Sequence, residues 1–247
     1  MYQTGLVSVS FRPLSPKEVI EATAAAGLKC IEWGSDVHAP CNDIECLQEI
    51  AKLQKQSGIS CSSYGTYFRI GTNAAEELPA YIEAARILGT NILRVWCGAK
   101  GSDLYTPEER EVFYSQCREV AKIAEDAGVI LCMECHNNTM TDRAQPAYDL
   151  MQAVNSPAFR MYYQPNQLRT VEENIAYARL LAPYTYHIHV FNWEGTAKFP
   201  LRDGLATWKE YLSCFSDDRA LLLEFMPDGR VESLPEEANT LFEMIGE

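Results

Sequence analysis

The sequence predicts an α/β protein, a single (β/α)8 barrel of the TIM type, and three observations predict it. Eight apolar, strand-like runs alternate with eight helix-like stretches at a beat of roughly thirty residues. Four helix-like stretches end in a glycine just before the next run, at Gly27, Gly58, Gly89 and Gly128. The 247 residues match the length of about 250 that one such barrel needs.

The predicted strands cover residues 4–11, 29–33, 59–64, 91–96, 129–134, 159–163, 186–190 and 220–224. The predicted helices cover 16–26, 44–56, 74–88, 107–127, 142–154, 171–181, 205–215 and 235–245. Ser15 is placed to cap the first helix, and Thr106-Pro107-Glu108-Glu109 is a start signal for the fourth. The glycines supply the left-handed cap between each helix and the following strand. A doubly wound open sheet is the alternative, but no GxGxxG follows the first run. No linker or charge block divides the chain, so one barrel domain over 1–247 is expected.

Lys plus Arg number 21 and Asp plus Glu 34, a net charge of −13 that argues against a general nucleic-acid binder. No run of 18 apolar residues and no signal peptide are present, so a cytoplasmic protein with no membrane partner is expected. The nine cysteines are scattered and several lie inside apolar runs, the pattern of reduced, buried thiols. Cys132 and Cys135 have CxxC spacing, but within a strand pattern, where redox or zinc use is disfavoured.

Chemistry in such a barrel sits at the C-terminal ends of the strands. All four histidines, His38, His136, His187 and His189, fall at or just after those ends. Glu134 and Glu224 each close an apolar run, where a carboxylate is costly unless paired or bound to a cation. His187 and His189, two apart, project to one side of their strand. Two glutamates, a histidine and a further oxygen suit Mn²⁺, Mg²⁺ or Co²⁺ better than a structural zinc. Such a site holds neighbouring sugar oxygens and polarises a carbonyl, while the carboxylates move a proton on the adjacent carbon.

The stretches from Gly27 to His38, with Cys30-Ile31-Glu32-Trp33 at their centre, from Met133-Glu134-Cys135-His136 to Asp142, and His187-Ile188-His189-Val190 and Leu223-Glu224 resemble, in strand order, the xylose-isomerase-like barrel superfamily of sugar isomerases and epimerases, which includes the AP endonucleases. The resemblance covers essentially the whole chain. It implies metal ligands at Glu134, Gln164, His189 and Glu224, with the two glutamates doubling as the catalytic acid/base pair. The sixth strand of such proteins usually offers Asp and, three residues on, His; here Gln164 and Gln167 stand instead. The arginine that epimerases carry six residues after the metal histidine is Gly195, with Lys198 or Arg202 as substitutes. Substrate contacts are expected from His38, His136, Trp33, Tyr64, Trp96, Asn166, His187 and Arg202, with Tyr67 a further wall aromatic and Arg94 and Lys100 available to an anion.

The expected function is therefore metal-dependent isomerisation or epimerisation of a sugar, sugar phosphate or related polyol. A dehydratase acting on a keto-inositol-like polyol shares the proton abstraction. A sugar-binding barrel with a weakened metal site and a metal phosphodiesterase are the competing classes; the phosphodiesterase needs more ligands and a basic groove. A homo-oligomer is compatible with the sequence.

Overall fold

The computed structural model describes residues 2–216 and 218–246. Eight parallel strands form a closed barrel: β1 (Gln3–Val7), β2 (Cys30–Gly34), β3 (Ser60–Ile70), β4 (Ile92–Cys97), β5 (Ile130–Glu134), β6 (Phe159–Tyr163), β7 (Thr185–Val190) and β8 (Ala220–Leu223). Around the ring each strand pairs with its neighbours in sequence, and β1 closes on β8 in the register Gln3↔Ala220 to Leu6↔Leu223. The outer helices are α1 (Pro16–Ala25), α2 (Ile44–Ser57), α3 (Leu78–Leu88), α4 (Pro107–Ala127), α5 (Ala144–Val154), α6 (Val171–Leu181), α7 (Leu205–Leu212) and α8 (Leu234–Ile245).

The helix ends follow from local chemistry. Ser15, Thr106 and Thr170 each accept from a backbone N–H of the first turn, and Glu18, Glu109 and Glu173 reach back to the cap backbone. Gly58, Gly89 and Gly128 take the left-handed conformation that ends α2, α3 and α4. Three expected elements are shorter or divided. Residues 8–11, expected in the first strand, form a 3-10 turn; residues 75–77 form another before α3; and α7 ends at Leu212 rather than 215. β3 runs six residues beyond the expected end, and a small hairpin, Trp193–Glu194 against Ala197–Lys198, follows β7 unforeseen.

The strands read as nearly continuous apolar runs because both faces are covered. Leu131, Met133, Leu221 and Leu223 pack outward with the helices, whereas Val7, Cys30, Cys132, Tyr162, Ala220 and Leu222 fill the barrel interior. Strand periodicity continues that inward series upward: Cys30 leads to Glu32, Cys132 to Glu134, Tyr162 to Gln164, and Leu222 to Glu224. The interior is thus apolar toward its N-terminal end and charged toward its C-terminal end. All nine cysteines are unpaired. Cys132 faces the interior and Cys135 packs in the helical layer, its thiol pushed up to about 12 by burial, so the CxxC spacing makes no redox or zinc pair.

Candidate active site and metal centre

The upper interior opens into a cavity of about 220 Å³, walled in part by Trp96, Glu134, His136, Gln164 and Glu224. Its floor is organised around His189, which is fully buried. Nδ1 of His189 lies 2.9 Å from Gln164 Oε1 and 3.7 Å from both Glu134 Oε1 and Glu224 Oε2. The other ring nitrogen, Nε2, lies 3.3 Å from Glu32 Oε2. Arg94 bridges two of the carboxylates, donating from Nε to Glu32 Oε1 and from Nη1 to Glu134 Oε2, each at 2.7 Å. The Trp96 indole N–H also donates to Glu134 Oε2.

Five ionisable side chains, Glu32, Arg94, Glu134, His189 and Glu224, are buried here, and their electrostatics interlock. Burial opposes ionisation of Glu32, but Arg94 and His189 outweigh it and hold its carboxyl below the ordinary range. Burial likewise opposes the Arg94 cation, yet Glu134 and Glu32 raise its pKa above the usual value. Burial lowers the His189 pKa, and Glu224 and Glu32 more than reverse that, so the imidazolium is favoured. Glu224 goes the other way: burial raises its pKa, and nearby Glu134 adds to the shift against the opposing pull of His189. Of the carboxyls here, Glu224 is thus pushed toward the protonated form.

The donor set fits a divalent cation. Glu134, His189 and Glu224 each present one ligand atom within 4.8 Å of the others, and Gln164 adds an amide oxygen. With metal–ligand bonds of about 2.1–2.3 Å, the donor–donor edges of a tetrahedral or octahedral shell are roughly 3.0–3.7 Å. The 2.9 and 3.7 Å separations around Nδ1 lie at that spacing. Glu134 keeps Oε1 toward the point of convergence because Arg94 and Trp96 occupy Oε2.

The structure brings together Glu134, Gln164, His189, Glu224, Trp96 and His136 from the sequence reading. His136 stacks on Trp96 with ring centroids 4.9 Å apart, and its Nδ1 lies 2.8 Å from the Asn137 carbonyl. The N–H therefore sits on Nδ1, leaving the Nε2 lone pair for a ligand. Tyr67 also lines the cavity, its ring 6.0 Å from that of Trp96.

Other expected substrate contacts lie elsewhere. Trp33 follows the inward-facing Glu32, so it points outward, fully buried, and donates to Gln54 of α2. Tyr64 follows the inward-facing Ser63 and donates to the Ala39 carbonyl. His38 is buried between Ser8 Oγ and the Leu14 carbonyl. His187 faces inward one layer below His189, against the backbone of Tyr186 and Ala220. Asn166 ties the loops after β5 and β6 together by donating to Asn137, and Arg202 pairs with Glu243 of α8 at the surface. Lys100 pairs with Glu109.

Glu32 carries a signal in the sequence, a charge inside an apolar run, but no expected role, and Arg94 is expected there only to meet an anion. Arg12, for which the sequence offers no signal, lines the cavity while donating to Asp36 and Tyr67. Phe225, next to Glu224, holds a left-handed backbone conformation at φ 55°, with its N–H donated to Ser10 Oγ. Non-glycine residues held there concentrate at functional sites.

This barrel with its buried Glu–His–Glu cluster defines a class of α/β barrels with a potential divalent-metal site. The sequence model of the xylose isomerase-like TIM barrel family matches residues 20–240, and the chain belongs to that family. A 3-dehydroshikimate dehydratase of Bacillus anthracis is 24% identical over 167 residues, 63% of this chain; the match spans 59% of that relative. Among solved structures, a probable 3-DHS dehydratase of Bacillus anthracis involved in petrobactin synthesis superimposes with a TM-score of 0.82 at 19% identity, covering 98% of each chain. A D-psicose 3-epimerase of Clostridium cellulolyticum H10 superimposes with a TM-score of 0.72 at 15% identity, covering 99% of this chain and 98% of the other. Among the described residues no helix is long and apolar enough to cross a membrane.

Proposed function

We propose that this chain is a divalent-metal-dependent dehydratase acting on a small cyclic hydroxy-keto acid of the dehydroshikimate type. The convergence of Glu134, His189, Glu224 and Gln164 on one point at the cavity carries the reading. The cavity is smaller than the roughly 300 Å³ at which drug-sized pockets begin, which suits a single ring. Arg12 on its wall offers a cation to a substrate carboxylate, which a neutral sugar does not require. Position 195, where the resemblance places an epimerase arginine, is Gly. The likeness to the Bacillus anthracis dehydratase supports the same choice.

Glu134, Gln164, His189 and Glu224 would hold the metal, which, when bound, supplies polarisation of the substrate carbonyl. Glu134, oriented by Arg94 and Trp96, removes the proton from the carbon beside that carbonyl. Glu224, the second carboxyl of the site, delivers a proton to the hydroxyl leaving from the next carbon. The lone pair of His136 accepts from a substrate hydroxyl, and Trp96 beneath it holds the ring in place. Water leaves, and a carbon–carbon double bond remains.

The test is a panel of Mn²⁺-loaded protein with 3-dehydroshikimate and free ketoses. Release of the aromatic dihydroxy acid, followed by its ultraviolet absorbance, is expected. Turnover of a ketose with none of the acid would replace the dehydratase reading with an epimerase.

A further inference from the structure

The buried pair Glu32 and Arg94 belongs to none of the ligand positions, yet it touches two of them. Glu32 has no solvent exposure and Arg94 only 4%. Such a pair is costly to desolvate, and an apolar pair of like volume is often at least as stable, so a stabilising role alone accounts poorly for it. The fold also makes room for it. At Gly65 on β3, a Cβ would lie 2.7 Å from Glu32 Oε1 and 2.8 Å from Arg94 Nη2, so a side chain there would displace the pair. The register of β2 on β3 shifts between Ile31 and Glu32, beside the same pair.

We propose that Glu32 and Arg94 are positioning residues for the divalent cation, an inference that rests on the metal-dependent reading above. Glu32 accepts from Nε2–H of His189 and so turns Nδ1 toward Glu134 Oε1 and Glu224 Oε2. Arg94 grips Glu134 by Oε2, which leaves Oε1 facing the same point. Ser63, donating to Glu32 Oε2 at 2.9 Å, fixes the carboxylate that fixes the histidine.

The charges explain Gln164. A bound cation would require Glu134 and Glu224 as carboxylates and His189 as a neutral imidazole; with Glu32 that is three negative charges against one positive on Arg94, leaving two to balance a divalent cation. An aspartate at 164 would leave one in excess. The neutral amide is thus matched to a site that already carries a second-layer glutamate, and it retains the carbonyl oxygen a metal needs.

The experiment is calorimetric titration of metal-stripped protein with Mn²⁺, for wild type, Glu32→Gln and the double variant Glu32→Leu/Arg94→Met, with thermal midpoints alongside. The double variant removes both charges together and serves if the single variant does not fold. A folded variant that binds Mn²⁺ about 10–100-fold more weakly supports positioning. A folded variant whose midpoint shifts while its Mn²⁺ affinity stays within about twofold of wild type overturns it, because a purely structural pair behaves that way. Wild-type protein that binds no Mn²⁺ overturns both this inference and the metal-dependent function. Wild-type binding without turnover of any dehydroshikimate-type acid overturns only the proposed reaction.

Discussion

Two layers of one barrel interior lie a residue pair apart and behave as different materials. The lower layer, with Cys30, Cys132, Tyr162 and Leu222, is apolar. The upper layer, with Glu32, Arg94, Glu134, His189 and Glu224, buries charge. His187 and His189 make the contrast sharpest, since they share a strand and a face. Burial lowers the pKa of both; at His187 it prevails, whereas at His189 the glutamates reverse it. Inward direction is therefore set by strand periodicity, while chemical character is set by which neighbours share the layer.

The largest expected effect tests the upper layer directly. Glu224→Gln keeps the shape of the side chain but loses its charge and its proton. Turnover of the dehydroshikimate-type acid is expected to fall by about 10²–10⁴-fold. Thermal stability should hold or rise, since a buried carboxyl with an unfavourable environment is removed. Stopped-flow turnover with a parallel melt checks both, and unchanged turnover would remove Glu224 from the chemistry.

The lower layer is expected to respond in the opposite way. Leu222 is fully buried among Val7, Cys30 and Cys132, so Leu222→Ala leaves a cavity and should cost about 2–5 kcal/mol of stability. The folded fraction should still bind Mn²⁺ with wild-type affinity. Urea unfolding and calorimetry together decide this; a large loss of affinity would show that the layers are mechanically coupled.

The barrel was legible because its signals are local: runs of strand length, helical spacing, caps and glycines. The ends of β5 and β8 gave Glu134 and Glu224 for the same reason. Direction was the missing step at Trp33 and Tyr64. Each stands beside a residue that faces inward, Glu32 and Ser63, and strand alternation turns both away from the cavity. Applying that alternation to Cys30 would have brought out Glu32. Arg12 and the hairpin around Trp193 carry no such signal, because loop placement depends on contacts between distant segments. His38, expected from its place after a strand end to contact substrate, is buried outside the cavity by the closing of the loop after β2 onto Ser8 and Leu14.

A smaller effect probes how the upper layer orients its carboxylates. Trp96→Phe removes the indole N–H from Glu134 but keeps an aromatic surface beneath His136. Mn²⁺ affinity should drop by about tenfold, the lower end for loss of a hydrogen bond to a ligand. Unchanged affinity would assign the orientation of Glu134 to Arg94 alone.

The smallest effect uses His38 as a histidine buried outside both layers. Its pKa is lowered by burial, against the weaker pull of Leu14 and Asp36. A folded pKa below the unfolded value means that the unfolded chain binds the proton first. The neutral side chain costs nothing above about pH 6.5, and stability falls as the pH drops below that value toward the folded pKa. Replacing it by His38→Gln removes this titration, so the urea midpoint of the wild type should fall relative to that of the variant as the pH drops from 7 to 5, whichever of the two is higher at neutral pH. Curves that stay parallel would mean that His38 protonates equally in both states. Burial alone would then not explain lowered histidine pKa values here, and the contrast between His187 and His189 would have to rest entirely on the glutamates.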